Sequence, residues 1–291
     1  MNKAQSDRLA KIAFFVSGIL AILILGGIFG MLLSNGLRAF RDISISEFLG
    51  SFIWQPSSYV KSSYGILTMV YSSLLLTFLA LLIAVPIGIG CAAFLAEFCP
   101  PKLANILKPA IEILASVPSV TLGFLGLVLF GPFFARAFGT THGLHAFNGA
   151  VLLAIMALPT IISISEDAIQ AVPLAYKEGS YALGANKWET LTKVILPASA
   201  SGIIASVMLG MGRVIGETMA VLMATGNSLA WPESIFSPVQ PLTATIAIEM
   251  GEVPFDTPHY YSLFMLGVIL FVITLLINFA SDKLSSRFQI K

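Results

Sequence analysis

Long apolar runs separated by short polar segments dominate the pattern along this chain of 291 residues. Six of the runs are long enough to cross the hydrocarbon core of a bilayer, about 30 Å thick, as α-helices. They cover residues 12–34, 66–95, 110–134, 146–165, 198–225 and 260–281. The pattern therefore predicts an all-α membrane protein with six transmembrane helices.

The first run follows three basic residues, Lys3, Arg8 and Lys11, as the apolar part of a secretory signal peptide does. That part is only about 7–15 residues long and precedes a cleavage site of small residues. The run 12–34 is longer and no such site follows it, so we expect a retained helix. We divide the chain into 1–65, with this helix and an outside loop, and 66–291, a core of five helices.

Positive charge is distributed unevenly between the loops. With the N-terminus inside the cell, eleven of the sixteen Lys and Arg residues fall in cytoplasmic segments and four in outside loops, while Arg213 falls inside a span. Because Lys and Arg are enriched on the cytoplasmic side, this bias predicts that both termini are cytoplasmic. The last outside loop is acidic and contains Glu233, Glu249, Glu252 and Asp256.

Composition agrees with a membrane location, since 57% of the residues are hydrophobic and 11% are charged, against about 25% charged in soluble domains. The apolar composition makes membrane lipid the expected surrounding. A formal net charge of +1 indicates no nucleic-acid partner. Cys91 and Cys99 define no disulfide framework. We expect His142, His145 and His259 to be solvated loop residues, and we expect no metal site and no cofactor.

Arg213 and Glu217 are the only charges between residues 198 and 230. An ionisable group at mid-bilayer costs about 2.5–3.5 kcal/mol, so its presence suggests a functional site. In a continuous helix these two side chains share a face, because they lie four residues apart. Five small residues fall on the same stripe: Gly202, Ser206, Gly210, Ala220 and Ala224. The stripe predicts a helix that faces a polar pathway, with a structural ion pair as the alternative.

Prolines interrupt three of the predicted spans, at Pro86, Pro118 and Pro159. Proline removes a backbone donor, and membranes tolerate this where neighbours or a cavity satisfy the freed carbonyl. Three hydroxyl side chains surround the second of these prolines: Ser116, Ser119 and Thr121. They either line a pathway or serve bundle packing. Gly212 and Gly216 allow close helix packing, within this chain or against a partner chain.

Residues 166–197 form the largest cytoplasmic loop, and helix signals divide it. Pro173 is placed to begin a short helix over 176–183, Gly184 is placed to end it, and a second helical run covers 187–195. A short helix held between two spans is well placed to dock on another protein. It is equally suited to lie on lipid headgroups, and composition alone does not decide between the two.

Spacing within this loop resembles the E-A-A-x3-G-x9-I-x-L-P pattern of importer-type ABC permeases. The matching positions are Glu178, Gly184, Leu196 and Pro197. Gly179 and Ser180 replace the two alanines, and Val194 replaces the isoleucine. The resemblance implies that residues 178–184 form a coupling helix that seats in a groove on an ATPase subunit. Small residues at 179 and 180 would allow close approach.

A second resemblance concerns the fifth span, where residues 212–221 read GRVIGETMAV. This run is similar to the G-R-x-x-G-E-T-M-A-V run of the PstC-type permeases of phosphate transport systems. Residues 116–120, SVPSV, and 241–246, PLTATI, also match that family. The similarity covers most of the chain and is weakest in the first helix.

The resemblance implies a type I ABC importer permease for inorganic phosphate in a prokaryotic cell (inner) membrane. It implies four further subunits: a PstA-type second permease, two PstB-type ATP-binding subunits and an external PstS-type phosphate-binding protein. The chain is not expected to be an enzyme. It has no G-x-x-x-x-G-K-[ST] motif, so ATP hydrolysis is expected in the separate subunits.

For a phosphate pathway, Arg213 is the candidate anion-contacting group, because its planar fork can hold two oxygens and stays charged. Glu217 would neutralise it when no anion is present. Two alternatives remain at this point. One is a permease for another oxyanion, such as sulfate or molybdate. The other is a proton-coupled secondary transporter with Glu217 as the proton site, although such folds usually contain internal repeats and none is evident here.

Overall fold

The computed structural model describes residues 3–59 and 61–287, and helices form most of it. The helices, in chain order, are α1 (Lys3–Gly36), α2 (Ile45–Gly50), α3 (Leu67–Ala93), α4 (Pro101–Ser116), α5 (Ser119–Leu125), α6 (Gly131–Phe138), α7 (Ala146–Gln170), α8 (Leu174–Ala182), α9 (Lys187–Thr190), α10 (Leu196–Ala198), α11 (Ala200–Gly216), α12 (Met219–Ala224), α13 (Leu242–Glu249) and α14 (Pro258–Arg287). Two short antiparallel strands, β1 (Trp54–Gln55) and β2 (Ser63–Tyr64), form a ribbon before α3. Lys291, one of the basic residues used to predict orientation, lies outside the described residues.

Short 3₁₀ and π-helical segments extend some of these helices or join them to one another. A 3₁₀ turn, Leu37–Arg41, extends α1, and π-helical turns follow α3 at Phe94–Phe98 and link α5 to α6 at Gly126–Phe130. Another π-helical stretch, Leu191–Ile195, links α9 to α10. Since a π turn widens a helix without ending it, α5 and α6 together form a single span.

Five helices in the described ranges are long and apolar enough to cross a membrane: Lys11–Arg41, Leu67–Phe98, Ser119–Phe138, Ala146–Gln170 and Pro258–Ser281. The pair Lys187–Ala198 and Ala200–Gly216, bent by 70°, supplies a sixth crossing when counted as one span. The predicted class, an all-α membrane protein of six spans, is therefore confirmed. The predicted orientation and the division at residue 65 stay predictions.

The boundaries of the third and fourth spans differ from the predicted ones. The third was predicted over 110–134, but α4 ends at Ser116 and a new helix starts at Ser119. Pro118 has no N–H and disfavours helical backbone at Val117, so the chain turns there. We call Val117 and Pro118 the first break. The fourth span was predicted to end at residue 165, whereas α7 continues to Gln170.

The fifth span is also broken, and here the prediction of one continuous helix is wrong. Helix α11 ends at Gly216, and Glu217 is extended, with φ −71° and ψ 131°. The next helix, α12, begins at Met219. We call Glu217 and Thr218 the second break. No proline lies between residues 198 and 231, so no local signal in the sequence marks it.

Helix α7 lies at the centre of the bundle, parallel to α3 and antiparallel to α11. Glycines allow both approaches: a Cβ built on Gly88 of α3 would lie 2.7 Å from Ile161, and one on Gly210 of α11 would lie 2.8 Å from the same residue. Ser165 and Ser206 share a hydrogen bond of 2.6 Å across the α7–α11 contact. In membranes such small residues bring helix backbones together.

This packing corrects the predicted polar stripe on the fifth span. Gly202, Ser206 and Gly210 face α7, where a Cβ on Gly202 would lie 2.4 Å from that of Ala168. Their small size therefore serves packing inside the chain. Only the charged end of the stripe remains a candidate for a polar pathway.

The three histidines differ in solvent exposure, although all were predicted to be solvated. His142 is exposed, as expected of a solvated loop residue. His259 is instead partly buried and lies 2.6 Å from a carboxylate oxygen of Glu249. His145 is fully buried beside Phe134, Phe147 and Phe236. Its Nδ1 accepts a hydrogen bond of 3.2 Å from the Asn148 N–H and so caps the N-terminus of α7.

Stability is expected to fall in mild acid because of His145. Burial lowers the pKa of this imidazole, while the unfolded chain protonates near its ordinary value of about 6.5. The folded state thus binds fewer protons, so stability is complete above pH of about 6.5 and decreases as the pH falls below it. Protonation also removes the acceptor that caps α7. Thermal unfolding of the detergent-solubilised protein between pH 7.5 and 5 measures this.

His145→Asn, which keeps a capping acceptor without a titrating group, should flatten the pH dependence of the melting temperature. His142→Asn, in the same loop but exposed, should leave most of it in place. Equal slopes for wild type and His145→Asn would contradict the assignment.

Candidate functional site

The two broken spans lie side by side. Helix α5, which follows the first break, packs on α12, which follows the second. They approach closely at Gly123, where a built Cβ would lie 3.0 Å from the Cα of Ala220. In a membrane, backbone that leaves the helical conformation is tolerated only where it is buried in protein or lines a polar cavity. Two such segments in adjacent spans therefore define a candidate functional site.

Arg213 connects the two broken spans. It lies in the last turn of α11, and its Nη2 donates a hydrogen bond of 3.3 Å to the carbonyl of Ala115, in the last turn of α4. The carbonyls of a last helical turn lack intrahelical donors and carry partial negative charge. A guanidinium is a favourable partner for them. The side chain is otherwise exposed on the surface of the chain.

The predicted Arg213–Glu217 ion pair is not formed. The structure shows ion pairs within 4.0 Å for Lys108, Lys177, Lys193 and His259, and neither Arg213 nor Glu217 takes part in them. The pair fails because the helix ends between its two members, so they no longer share one helical face. The positive charge of Arg213 therefore has no carboxylate partner in the described part of the chain.

Glu217 serves the start of the next helix instead. Its Oε1 accepts a hydrogen bond of 3.4 Å from the N–H of Ala220, in the first turn of α12. A carboxylate at a helix N-terminus is stabilised by the unpaired N–H groups there. Its backbone carbonyl accepts from the Thr243 hydroxyl at 3.0 Å, and Thr218 Oγ1 donates to the Gly216 carbonyl at 3.3 Å. These contacts satisfy polar groups that the break would leave unpaired.

The three hydroxyls predicted near Pro118 lie at the first break and in the turn that follows it. Ser116 Oγ donates to the Ile113 carbonyl at 2.7 Å and is exposed. Thr121 is exposed as well, and Ser119 is partly buried. The structure thus brings the first break next to Arg213, while the roles of these hydroxyls stay predictions.

The face of α11 that carries Arg213 is open. A Cβ built on Gly212 or Gly216 would meet no atom within 4 Å, so the described residues give no support to packing of these glycines within the chain. An arginine facing hydrocarbon at the bilayer centre would cost about 2.5–3.5 kcal/mol. This face is therefore suited to a second protein surface or to a polar pathway, and not to lipid.

The short helix predicted in the large loop is present as α8. Pro173 precedes its first turn, and Gly184, with φ +84°, adopts the left-handed conformation that ends it. The second run is also helical, from Lys187 through α10, and begins with a capping box between Asn186 and Glu189. Both predictions of secondary structure are confirmed.

Helix α8 is anchored on one side and exposed on the other. Lys177 pairs with Glu97 in the π-helical turn that follows α3, and the Ser180 and Thr190 hydroxyls lie 2.9 Å apart. Large apolar side chains nevertheless point away from the bundle, with Leu183 91% exposed. The others are Leu174, Tyr176, Tyr181 and Trp188. Exposed apolar surface of this kind marks an interaction surface.

The residues predicted to couple to an ATPase occupy this surface in part. Glu178, Gly179 and Gly184 are exposed, whereas Ser180 is partly buried against the following helix. Pro197 is exposed and Leu196 partly buried, both in α10. No contact within the described chain occupies the space beside Gly179 or Gly184.

Sequence reasoning missed an ion pair that joins α4, the helix before the first break, to α7. Lys108 of α4 lies 2.5 Å from a carboxylate oxygen of Glu166 in α7, and Gln170 donates to that same oxygen. Glu166 is almost fully buried. The sequence places Glu166 in the cytoplasmic loop because the fourth apolar run ends at residue 165, whereas in the structure α7 continues through it to Gln170.

A membrane bundle with two adjacent broken spans and an exposed short helix at one face is the architecture of a transport permease. Residues 84–290 match the family described as binding-protein-dependent transport system inner membrane components, and the chain belongs to this family. Among its relatives, the PstC phosphate transport system permease protein of Mesorhizobium japonicum is 37% identical over 94% of this chain and 88% of that protein. The one from Haemophilus influenzae is 37% identical over 84% of each. The resemblance to PstC-type permeases is confirmed.

A further relative is a probable ABC transporter permease, YqgH of Bacillus subtilis, 40% identical over 87% of this chain and 82% of that protein. Solved structures show the same fold at lower identity. The match to a bacterial ABC transporter involved in the import of alginate covers 97% of this chain and 99% of that chain, with a TM-score of 0.65 and 14% sequence identity. The match to an inward-facing conformation of the MetNI methionine ABC transporter covers 76% of this chain and 94% of that chain, with a TM-score of 0.60 and 21% sequence identity.

Proposed function

We propose that this chain is the permease subunit of an ATP-driven importer of inorganic phosphate. The observation that carries the proposal is Arg213, a positive charge without a carboxylate partner in the described chain, exposed beside two broken spans. Relatives that are 33–37% identical over most of the chain are named phosphate transport permeases, which supports the substrate. The pathway then runs along the open face of α11.

Phosphate carries one to two negative charges near neutral pH, so a pathway must supply positive charge to replace its hydration. Arg213 provides a planar fork that holds two oxygens, and its present partner, the Ala115 carbonyl, is a neutral acceptor that an anion displaces readily. One such group binds the anion weakly enough for release, as passage through a pathway requires. Ser119 and Thr121, in the first turn after the first break, are proposed as further hydroxyl donors, and Ser116 would join them by releasing the Ile113 carbonyl.

The partners follow from the two open surfaces. The face with Gly212 and Gly216 is proposed to meet a second, PstA-type permease, with the pathway between the two chains. The exposed side of α8 is proposed to seat on one of two PstB-type ATP-binding subunits, through Glu178, Gly179 and the apolar side chains. A PstS-type binding protein would deliver phosphate from the opposite face. The chain itself carries out no chemistry and resides in the prokaryotic cell membrane.

Complementation tests this function. Labelled phosphate uptake is measured in cells that lack their own PstC-type subunit but keep the other components, with and without this chain. We expect the chain to restore uptake, and depletion of ATP to abolish it. Restored uptake of sulfate or molybdate in cells lacking the corresponding permease, without phosphate uptake, would assign a different oxyanion. Uptake that follows a proton gradient and ignores ATP would assign a secondary transporter.

A further inference from the structure

The second break is held in place by a helix that follows it in the chain. Thr243, in the first turn of α13, donates its hydroxyl to the Glu217 carbonyl at 3.0 Å. Thr243 is 8% exposed, so water does not readily replace this donor. A carbonyl left without a donor in such surroundings is costly. The hydroxyl therefore stabilises the extended conformation of Glu217 over a helical one.

The position of Thr243 is itself fixed from both ends of α13. At the first end, the N–H of Leu242 donates to Ser73 Oγ of α3 at 3.0 Å, and Ser73 in turn donates to the Met69 carbonyl. At the last residue, the Trp54 Nε1–H donates one bifurcated hydrogen bond to the Glu249 carboxylate, 3.0 Å from each oxygen, and His259 contacts the same carboxylate. Helix α13 is thus a fixed support that carries the Thr243 hydroxyl to the break.

The alternative to the break is a continuous helix. No proline prevents it, since residues 216–220 read GETMA. In that helix Arg213 and Glu217 would lie four residues apart on one face and pair with each other. The pair would cancel the charge that a pathway for anions needs. Keeping the helix broken therefore keeps Arg213 available and directs the Glu217 carboxylate to α12 instead.

We propose that Thr243 is a positioning residue for translocation: its hydroxyl maintains the second break and so prevents Arg213 and Glu217 from pairing. Thr243 touches no substrate and acts through the Glu217 carbonyl. The proposal rests on the proposed role of Arg213 as the anion contact.

The main test is Thr243→Val, which keeps the shape of the side chain and removes the donor. The maximal rate of labelled phosphate uptake should fall about tenfold, the factor expected for losing a buried hydrogen bond worth about 1.4 kcal/mol. Thr243→Ser, which restores the hydroxyl, should remain within about twofold of wild type. Thr77→Val is the matched control, because the Thr77 hydroxyl is buried but bonds only to a carbonyl of its own helix.

A double variant separates positioning from a general structural role. If pairing causes the loss, Thr243→Val should lower uptake about tenfold in the wild-type chain but should have little effect in a chain that already carries Glu217→Gln. The double variant should therefore transport at about the rate of Glu217→Gln alone. Membrane levels and co-purification with the partner subunits are checked for each chain. Wild-type uptake in Thr243→Val, equal loss in Thr243→Ser, or no recovery in the double variant would each overturn the proposal. Unchanged uptake in Arg213→Gln would instead refute the proposed role of Arg213 on which it rests, while failure of wild type to restore phosphate uptake would refute the proposed function.

Discussion

Replacing Arg213 by Gln is expected to reduce phosphate uptake at least about tenfold, without loss of the chain from the membrane. Glutamine removes the charge and keeps a polar amide, but its side chain is two bonds shorter, so the hydrogen bond of 3.3 Å to the Ala115 carbonyl is lost as well and membrane levels are checked. A charge-assisted hydrogen bond to phosphate contributes about 1.5–3 kcal/mol, and each 1.4 kcal/mol is tenfold. Uptake is measured in the complementation strain, with ATPase activity of the purified complex recorded in parallel.

Two further variants sharpen this test. Arg213→Lys keeps the charge but loses the planar fork, so its uptake should fall between those of wild type and Arg213→Gln. Arg136→Gln makes the same chemical change in the last turn of α6, at an exposed position away from both breaks, and should transport normally. Normal uptake by Arg213→Gln at normal membrane levels would refute anion contact at this residue.

Reversing the charge of Glu178 is expected to uncouple the permease from its ATPase. Glu178 lies on the exposed side of α8 among apolar side chains that have no partner in the described chain. A like charge placed against a complementary interface costs several kcal/mol, so Glu178→Lys should lower both ATPase co-purification and uptake by at least about tenfold. Helix α8 itself should persist, because Pro173 and Gly184 define its ends.

The comparison that localises this effect is Glu233→Lys. Glu233 is also an exposed acid, but it lies in the loop between α12 and α13, at the face opposite α8. That variant should co-purify with the ATP-binding subunit as wild type does. Co-purification of Glu178→Lys at the wild-type level would exclude Glu178 from the coupling surface.

The spans and α8 could be predicted because their signals are local. Apolar runs locate the spans, and Pro173, Pro118 and Gly184 act on the backbone within one or two residues. The second break could not be predicted, because the donor that stabilises it, Thr243, follows Glu217 by 26 residues and belongs to another helix. Its motif, PLTATI, resembled the PstC-type family but gave no indication of which carbonyl it contacts.

The polar stripe was misassigned for a different reason. Gly202, Ser206 and Gly210 have the size that close helix packing and a polar pathway both require, and one sequence does not say which neighbour lies opposite. Only the structure shows that α7 does. His145 was similarly predicted to be solvated because it precedes a span, whereas three phenylalanines from separate segments enclose it.

The central position of α7, together with synthesis from the N-terminus, suggests an order in which the helices pack during insertion. Of the spans in the described chain that are continuous helices, α7 has the largest buried share, 61% against at most 28% for the others, and its last turns carry Glu166 and Asp167. Chains emerge N-terminus first, so α3 is already in the bilayer when α7 enters beside it. Helix α11 arrives later and closes the opposite side. We therefore expect α3 and α7 to pair before α11 joins them, so a defect in α3 should leave α7 without a partner during insertion.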